Sequence, residues 1–458
     1  MISFGLLGGF CDHLEIRITG LSEKGFSFRV PEKIEKAACL EICFFDFSAD
    51  CYRKVQLAEK EREMKLTEET PFFFIYSVWT KNGEYREQVK RLVTDYDNYI
   101  SLKLAGDDAY LSEKMVGYPA ELDEVYAESF EEQKKEWFSC VGDGIQECRN
   151  TWEHKKWNIT DFPEFELAIT IDRPELYYDF LQKDWTRFCH DYWKNNFLEH
   201  HTLSQKRVTR IYIGNQFCHN LFPKKKLLFQ VLEKALENNL AVTLAFSYIR
   251  NHLLEEIDEL LQELEVWCQS REKEAGKDQE EIIVNDWAMP ILLQGKPHLK
   301  PVLGVLLNKR RKDVRLPYKH GIGNHVDSLA ENNLNCGFYQ DYLKNTFDIQ
   351  RFEFESCGYK VTIPDGHHSL HLPFFQTNTS QYCTLYAVCR YGDRGKQKLP
   401  ENCPRYCNKK VFLYPKHLKM VGRYNSLFGY DEKILWDEKQ LQDYLEQGID
   451  RIVVNVSL

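Results

Sequence analysis

From residue 165 onward, short apolar runs recur with helical patterns between them, and this alternation constrains the fold more than any other feature. The runs are Phe165 to Ile171, Val208 to Ile213, Leu240 to Phe246, Ile282 to Val284, Val302 to Leu307, Arg351 to Phe354 and Leu370 to Phe375. Between them lie stretches such as Lys225 to Glu237 and His252 to Cys268, whose apolar residues return at three- and four-residue steps. Strands alternating with helices form parallel βαβ units. The pattern predicts an α/β fold, a (β/α) barrel of the TIM type, regular or irregular, over 161–458.

The first 105 residues follow another rhythm. Leu14 to Ile18 and Phe26 to Val30 alternate in period two about a turn near Ser22 and Gly25, and Cys39 to Phe47 and Phe72 to Trp79 are further strand-like runs. Tyr85 to Tyr99 then presents Val89, Leu92, Val93 and Tyr96 at helical spacing. Several strands and one closing helix predict a small β-barrel over 1–105. Residues 106–160, charged and rich in Trp, are expected to form a helical connector.

A chain of 458 residues exceeds the usual size of one domain, and 43% hydrophobic residues suffice for sizeable cores. The net charge of −10 gives no global attraction to nucleic acid or anionic lipid. Met1 to Phe10 is apolar but lacks a basic leader and a small-residue cleavage site, so no secretory signal is expected. No run of about 18 apolar residues suggests a membrane span. Fifteen cysteines, an odd number scattered over a long chain, fit reduced thiols in a cytoplasm better than a disulfide framework.

In a (β/α) barrel, residues just past the strand C-termini line the functional mouth. Cys218 follows the second run, and Asn285, Asp286 and Trp287 follow the fourth. Asn308 ends the fifth with the cations Lys309, Arg310, Arg311 and Lys312, expected to be a solvated charge run. Asp286 is either a general base or the cap of the next helix. His367, His368 and His371 resemble a metal cluster in sequence, but period two on a strand argues against a shared ion. The charged stretch Arg271 to Glu281 reads as a solvated helix end and loop. The sharpest signal is Cys383, Cys389 and Cys403-Pro-Arg-Tyr-Cys407. Thiolates favour zinc or an iron–sulfur cluster, and spacing alone leaves both open. No Gly-x-Ser-x-Gly elbow, His-Glu-x-x-His helix or phosphate-binding Gly-rich loop is present.

Two resemblances sharpen these expectations. Gly20-Leu-Ser-Glu-Lys-Gly25-Phe26 stands where PilZ-type domains carry an Asp/Asn-x-Ser-x-x-Gly turn. Gly20 replaces the acidic or amide residue and no Arg-x-x-x-Arg arm precedes it, so a packing or protein-docking role is expected and cyclic di-GMP binding is not. Over about 165–430, Tyr-Ile-Gly-x-x-Phe-Cys218, Val-Asn-Asp286-Trp287, Leu-Leu-Asn308-x-x-Arg311, Arg351-Phe-Glu353, Leu370-His-Leu-Pro373-Phe374 and Cys403-Pro-Arg-Tyr-Cys407 occur in order. The set resembles the collagenase-like peptidase family U-32. That resemblance implies a [4Fe–4S] cluster rather than zinc, held by Cys218, Cys383, Cys403 and Cys407, with Cys389 the rival of Cys383. It implies redox or hydroxylation chemistry on an organic or RNA substrate. A non-catalytic scaffold with a structural metal site and a peptidase acting on peptide or collagen-like substrates are the alternatives. Asp286, Asn308 and Glu353 are the candidate catalytic residues, with Trp287 and Arg311 as substrate contacts.

Overall fold

The computed structural model describes residues 6–12, 14–35, 37–46, 49, 51–70, 73–105, 137, 162–275, 279–310, 312, 330–393, 396, 398–400, 402–413, 419–435 and 437–456. The expected connector at 106–160 falls outside these residues except for Trp137. Two compact units are present, Met1–Asp123 with Arg315–Ala330 and Glu124–Val314 with Glu331–Leu458.

The first unit contains the strands β1 (Leu7–Cys11), β2 (Leu14–Ser22), β3 (Gly25–Val30), β4 (Leu40–Asp46), β5 (Cys51–Leu57), β6 (Arg62–Glu69) and β7 (Phe74–Thr80), followed by the helix Gly83–Ala105. They form one antiparallel sheet in the order β5-β4-β1-β2-β3-β7-β6. Its outermost strands are consecutive in the chain, so the sheet curls about one core that includes Phe28, Phe44, Val55, Val78 and the helix residues Tyr85, Val89 and Leu92. The β2–β3 turn needs Gly25, because a Cβ there would lie 1.9 Å from the Val78 carbonyl oxygen. Ser22 closes the turn through Oγ donating to the Gly25 carbonyl at 3.0 Å.

The second unit contains β8 (Glu166–Ile171), β9 (Arg210–Gly214), β10 (Ala241–Ala245), β11 (Glu280–Val284), β12 (Leu299–Leu303), β13 (Glu353–Glu355) and β14 (His368–Leu372). Four short strands follow, β15 (Phe374–Thr379), β16 (Phe412–Leu413), β17 (Met420–Arg423) and β18 (Ser426–Tyr430), and β19 (Ile449–Val454) ends the unit. Eight of these strands pair in parallel as β12-β11-β10-β9-β8-β19-β14-β13. The two outer members meet at a parallel bridge between Leu303 and Phe352, where the Leu303 N–H donates to the Arg351 carbonyl at 3.0 Å. The sheet is thus a nearly closed parallel barrel of the TIM type, its strands following one another round the barrel in chain order.

The eighth strand, β19, was absent from the expected set: Asp450 and Arg451 interrupt its apolar character. Both are paired, Arg451 inside the barrel and Asp450 with Arg351 at 2.6 Å. Period two then decides what enters the barrel. Ala168, Tyr212, Ala245, Ile283, Val302 and Val453 form its central apolar cluster. Outside, the helix Lys225–Glu237 buries Leu228, Val231, Leu232 and Ala235, the stripe its spacing predicts. Between β14 and β19 the chain inserts the separate antiparallel sheet β15-β18-β17-β16, which brings the late cysteines to the barrel.

Candidate functional site

Cys218 stands at the start of the short 3-10 turn His219–Leu221, four residues after β9 ends. The loop is fixed by Asn215, whose Oδ1 accepts the N–H groups of Phe217 and Cys218, both at 2.9 Å. It also needs Gly214: at φ 108°, a Cβ would lie 2.5 Å from the Ala245 carbonyl and 2.7 Å from the Phe222 ring. Cys383 is the N-cap of the helix Thr384–Tyr391, its sulfur accepting from Tyr386 N–H at 3.3 Å and donating to the Tyr424 carbonyl at 3.0 Å. Cys407 lies in a 3-10 turn whose entry residue, Arg405, is left-handed at φ 55°, and Arg423 Nε donates to the Cys407 carbonyl at 3.0 Å.

These separate devices place Cys218, Cys383, Cys403 and Cys407 on the wall of one small cavity, with Leu221, Leu385, Pro400 and three tyrosine rings completing it. The cavity surface is almost wholly apolar. Burial pushes the Cys218 thiol up to about 11 and Cys407 up to about 12, and raises Cys383 as well. Arg250 near Cys218 and Arg423 near Cys407 act in the opposite sense but more weakly. Such thiols stay protonated until a metal replaces their protons. Cys389, the rival of Cys383, does not line the cavity. Among the described residues no three His, Cys, Asp or Glu side chains are grouped as a single ion would require. A tetrahedral zinc site, with Zn–S bonds of about 2.3 Å, would draw its sulfurs to about 3.8 Å from one another. Thiol donors are what both zinc and iron–sulfur clusters take.

A second hollow lies at the barrel mouth and shares Tyr424 with the first. Its polar lining comes from strand ends: Thr170 on β8 and Asp172 after it, Asn215 and Gln216 after β9, Glu355 on β13, His371 on β14 and Asn455 after β19. Glu355 is tied down, its carboxylate pairing with Lys312 and accepting the Gln376 N–H at 2.8 Å.

The other residues singled out in the sequence are distributed differently. Asp286 is the cap of the next helix: Oδ1 accepts from Ala288 and Met289 N–H, both at 3.0 Å, and Oδ2 accepts from Ile249 N–H. Trp287, 41% exposed, packs on Tyr339, Tyr342 and Phe347 rather than on either cavity. Asn308 is buried, five residues beyond β12, and its amide donates to the Glu353 carbonyl at 3.1 Å. Glu353 is fully buried inside the barrel, accepting from Tyr212 and His371. Asp286, Asn308 and Glu353 line neither of these two cavities. Arg311 lies outside the described residues.

The cation run is not wholly solvated, as the sequence suggested. Arg310 donates to Cys357 Sγ at 2.7 Å and to the Glu355 carbonyl, and Lys312 pairs with Glu355. Alternate members therefore point inward where carboxylate, thiol and carbonyl acceptors receive them. The three histidines separate: His367, in the loop before β14, is exposed beside Asp450, His368 stacks on Phe352, and His371 enters the barrel.

Sequence reasoning passed over Asp172, Asn215, Glu355 and Asn455. Each is a polar residue at or just beyond the end of a β-run, a signal that was present but shared with many ordinary loop residues. The chain matches no family model, no curated protein and no solved structure.

Proposed function

We propose that the second unit holds a [4Fe–4S] cluster through Cys218, Cys383, Cys403 and Cys407, and that the protein acts in redox or hydroxylation chemistry on an organic or RNA substrate. One observation carries this reading: four cysteines spread over 190 positions of sequence line one apolar cavity beside the barrel mouth. Such a cluster supplies a one-electron couple tuned by burial and by hydrogen bonds to its sulfurs. The chain's own part is to exclude water with Leu221, Leu385 and Pro400 and to hold the loops with Asn215, Arg423 and the Cys383 cap. The ordered U-32 motifs support the same assignment. A scaffold with a structural cluster is the second reading, favoured by the commitment of Asp286 and Asn308 to backbone bonds.

Anaerobic purification followed by metal and sulfide analysis tests the proposal. About four iron and four acid-labile sulfide per chain are expected from a cubane. Stoichiometric zinc without sulfide would count decisively against it.

A further inference from the structure

A hydrogen-bonded chain crosses the barrel interior, and the thiol site does not use it. Arg451 Nη1 lies 2.6 Å from Glu281 Oε2 and donates to the Tyr212 hydroxyl at 3.2 Å. Tyr212 donates in turn to Glu353 Oε1 at 3.1 Å, and Glu353 Oε2 lies 2.5 Å from His371 Nε2. Glu353 is fully buried and His371 is 3% exposed. A carboxylate can only accept, so Nε2 carries the hydrogen and the neutral ring keeps its lone pair on Nδ1. Among the described residues no protein group bonds Nδ1, and His371 lines the mouth cavity.

We propose that the mouth cavity is a ligand site in which His371 Nδ1 accepts a hydrogen bond from a hydroxyl or N–H on a small, uncharged, planar molecule, with Glu353 as the positioning residue. The ligand hydrogen points at Nδ1, while the Nε2 hydrogen points at the Glu353 carboxylate. The same carboxylate–imidazole geometry orients histidine bases elsewhere.

Planarity follows from the aromatic wall: Phe217 meets Phe428 edge-on at 4.9 Å, and Tyr424 meets Phe428 at 6.3 Å. Charge selects against anions. Asp172 and Glu355 line the cavity, Lys312 is already paired with Glu355, and Arg451 lies behind Tyr212 facing Glu281 and Glu166. The groups around His371 are thus Glu353 and Glu355 from β13, Tyr212 from β9 and Asp172 after β8, and the cations Lys312 and Arg451 are already paired with Glu355 and Glu281. The site does not depend on the cluster, so its test stands whatever the thiols bind.

Phenol and benzoate are suitable probes, since they share a ring and differ in charge and donor. Titrated into the full-length protein, phenol should bind at least about tenfold more tightly than benzoate. His371→Gln should weaken phenol by about tenfold, the order expected for one hydrogen bond lost in a dry site. Two-bond proton–nitrogen spectra of histidine-labelled unsubstituted protein should show His371 protonated on Nε2, with Nδ1 bare and shifting as phenol is added. This second measurement does not require the variant to fold. Equal or tighter binding of benzoate, phenol affinity indifferent to His371→Gln, or a hydrogen on Nδ1 at neutral pH would each overturn the proposal.

Discussion

The thiol cavity takes its four cysteines from loops, a helix cap and a 3-10 turn, whereas the mouth cavity takes Glu355 and His371 directly from barrel strands. The two share Tyr424 yet obey different physics. The first is apolar, and burial, with a lesser contribution from neighbouring thiols, pushes Cys218, Cys383 and Cys407 upward. The second sits above a polar network in which each carboxylate is matched by guanidinium, phenol or imidazole donors. A site built on loops is completed by whatever it binds, while a site built on strands is rigid before anything arrives.

The sharpest way to break this contrast is to remove the thiols singly. Cys403→Ala and Cys407→Ala should each lose most of the iron and the associated visible absorbance of anaerobically prepared protein. Cys383→Ala should do the same. Cys389→Ala should lose far less, and Cys268→Ala and Cys336→Ala, far from the cavity, should lose none. Phenol binding at the barrel mouth should survive in all six. An essential Cys389 would show that Cys383 belongs to the helix cap alone.

The mouth network is probed by charge. Arg451 is 2% exposed and contacts Glu281, Glu166 and Tyr212. Arg451→Met takes one guanidinium from Glu281 and Glu166, which both keep Arg210, and should cost less than the about 3–5 kcal/mol of a fully broken buried pair, read as a lower urea midpoint at an unchanged slope. Burial raises the Glu281 carboxyl, but Arg210, Arg451 and Arg351 together outweigh it and hold it at about 2. A depressed carboxylate stabilises the fold above its unfolded value of about 4.3, and that stability drains as pH falls toward 2. On the order of 3 kcal/mol should be lost across this window in the unsubstituted protein. The Arg451→Met profile should be flatter there, because the variant has already forfeited part of the contribution.

Much of this architecture was legible in the sequence. Seven of the eight barrel strands announced themselves as apolar runs, because strands buried on both faces have no reason to alternate. The eighth did not, since Asp450 and Arg451 interrupt it. The stretch from Arg271 to Glu281 misled for the same reason. Glu280 and Glu281 open β11 and are buried against Arg271, Arg210 and Arg451, partners 9, 71 and 170 positions away. A buried charge reads as a solvated one until its counter-ion is known, and only the closed barrel supplies it. Within the cysteine quartet, Cys403 and Cys407 stood out by their spacing in a polar loop, whereas Cys218 and Cys383 were joined to them as a ligand set only through the U-32 resemblance; all four line one cavity. The dyad was half legible: Glu353 was singled out, but with a different partner in mind. The His-Ser-Leu-His-Leu period puts His371 on the face of Ser369, while nothing local links it to Glu353 15 positions from the nearest histidine of that run.

The smallest expected effect separates capping from chemistry at Asp286. Its carboxylate receives three backbone N–H groups, two opening the helix Ala288–Leu292 and one from Ile249 on the neighbouring loop. Removing a cap of this kind costs about 1 kcal/mol, and the loop contact adds a similar amount at most. Asp286→Ala should therefore lower the denaturation midpoint modestly. Asp286→Asn, which keeps an acceptor oxygen for the helix N–H groups, should recover roughly half of that loss. Iron content and phenol affinity should be unchanged in both variants, because Asp286 lines neither cavity. If Asp286→Asn folded as stably as the unsubstituted protein yet abolished phenol binding, the carboxylate would be acting on the mouth site through the Ile249 loop. The division between a loop-built metal centre and a strand-built ligand site would then have to be redrawn around residues 248–250.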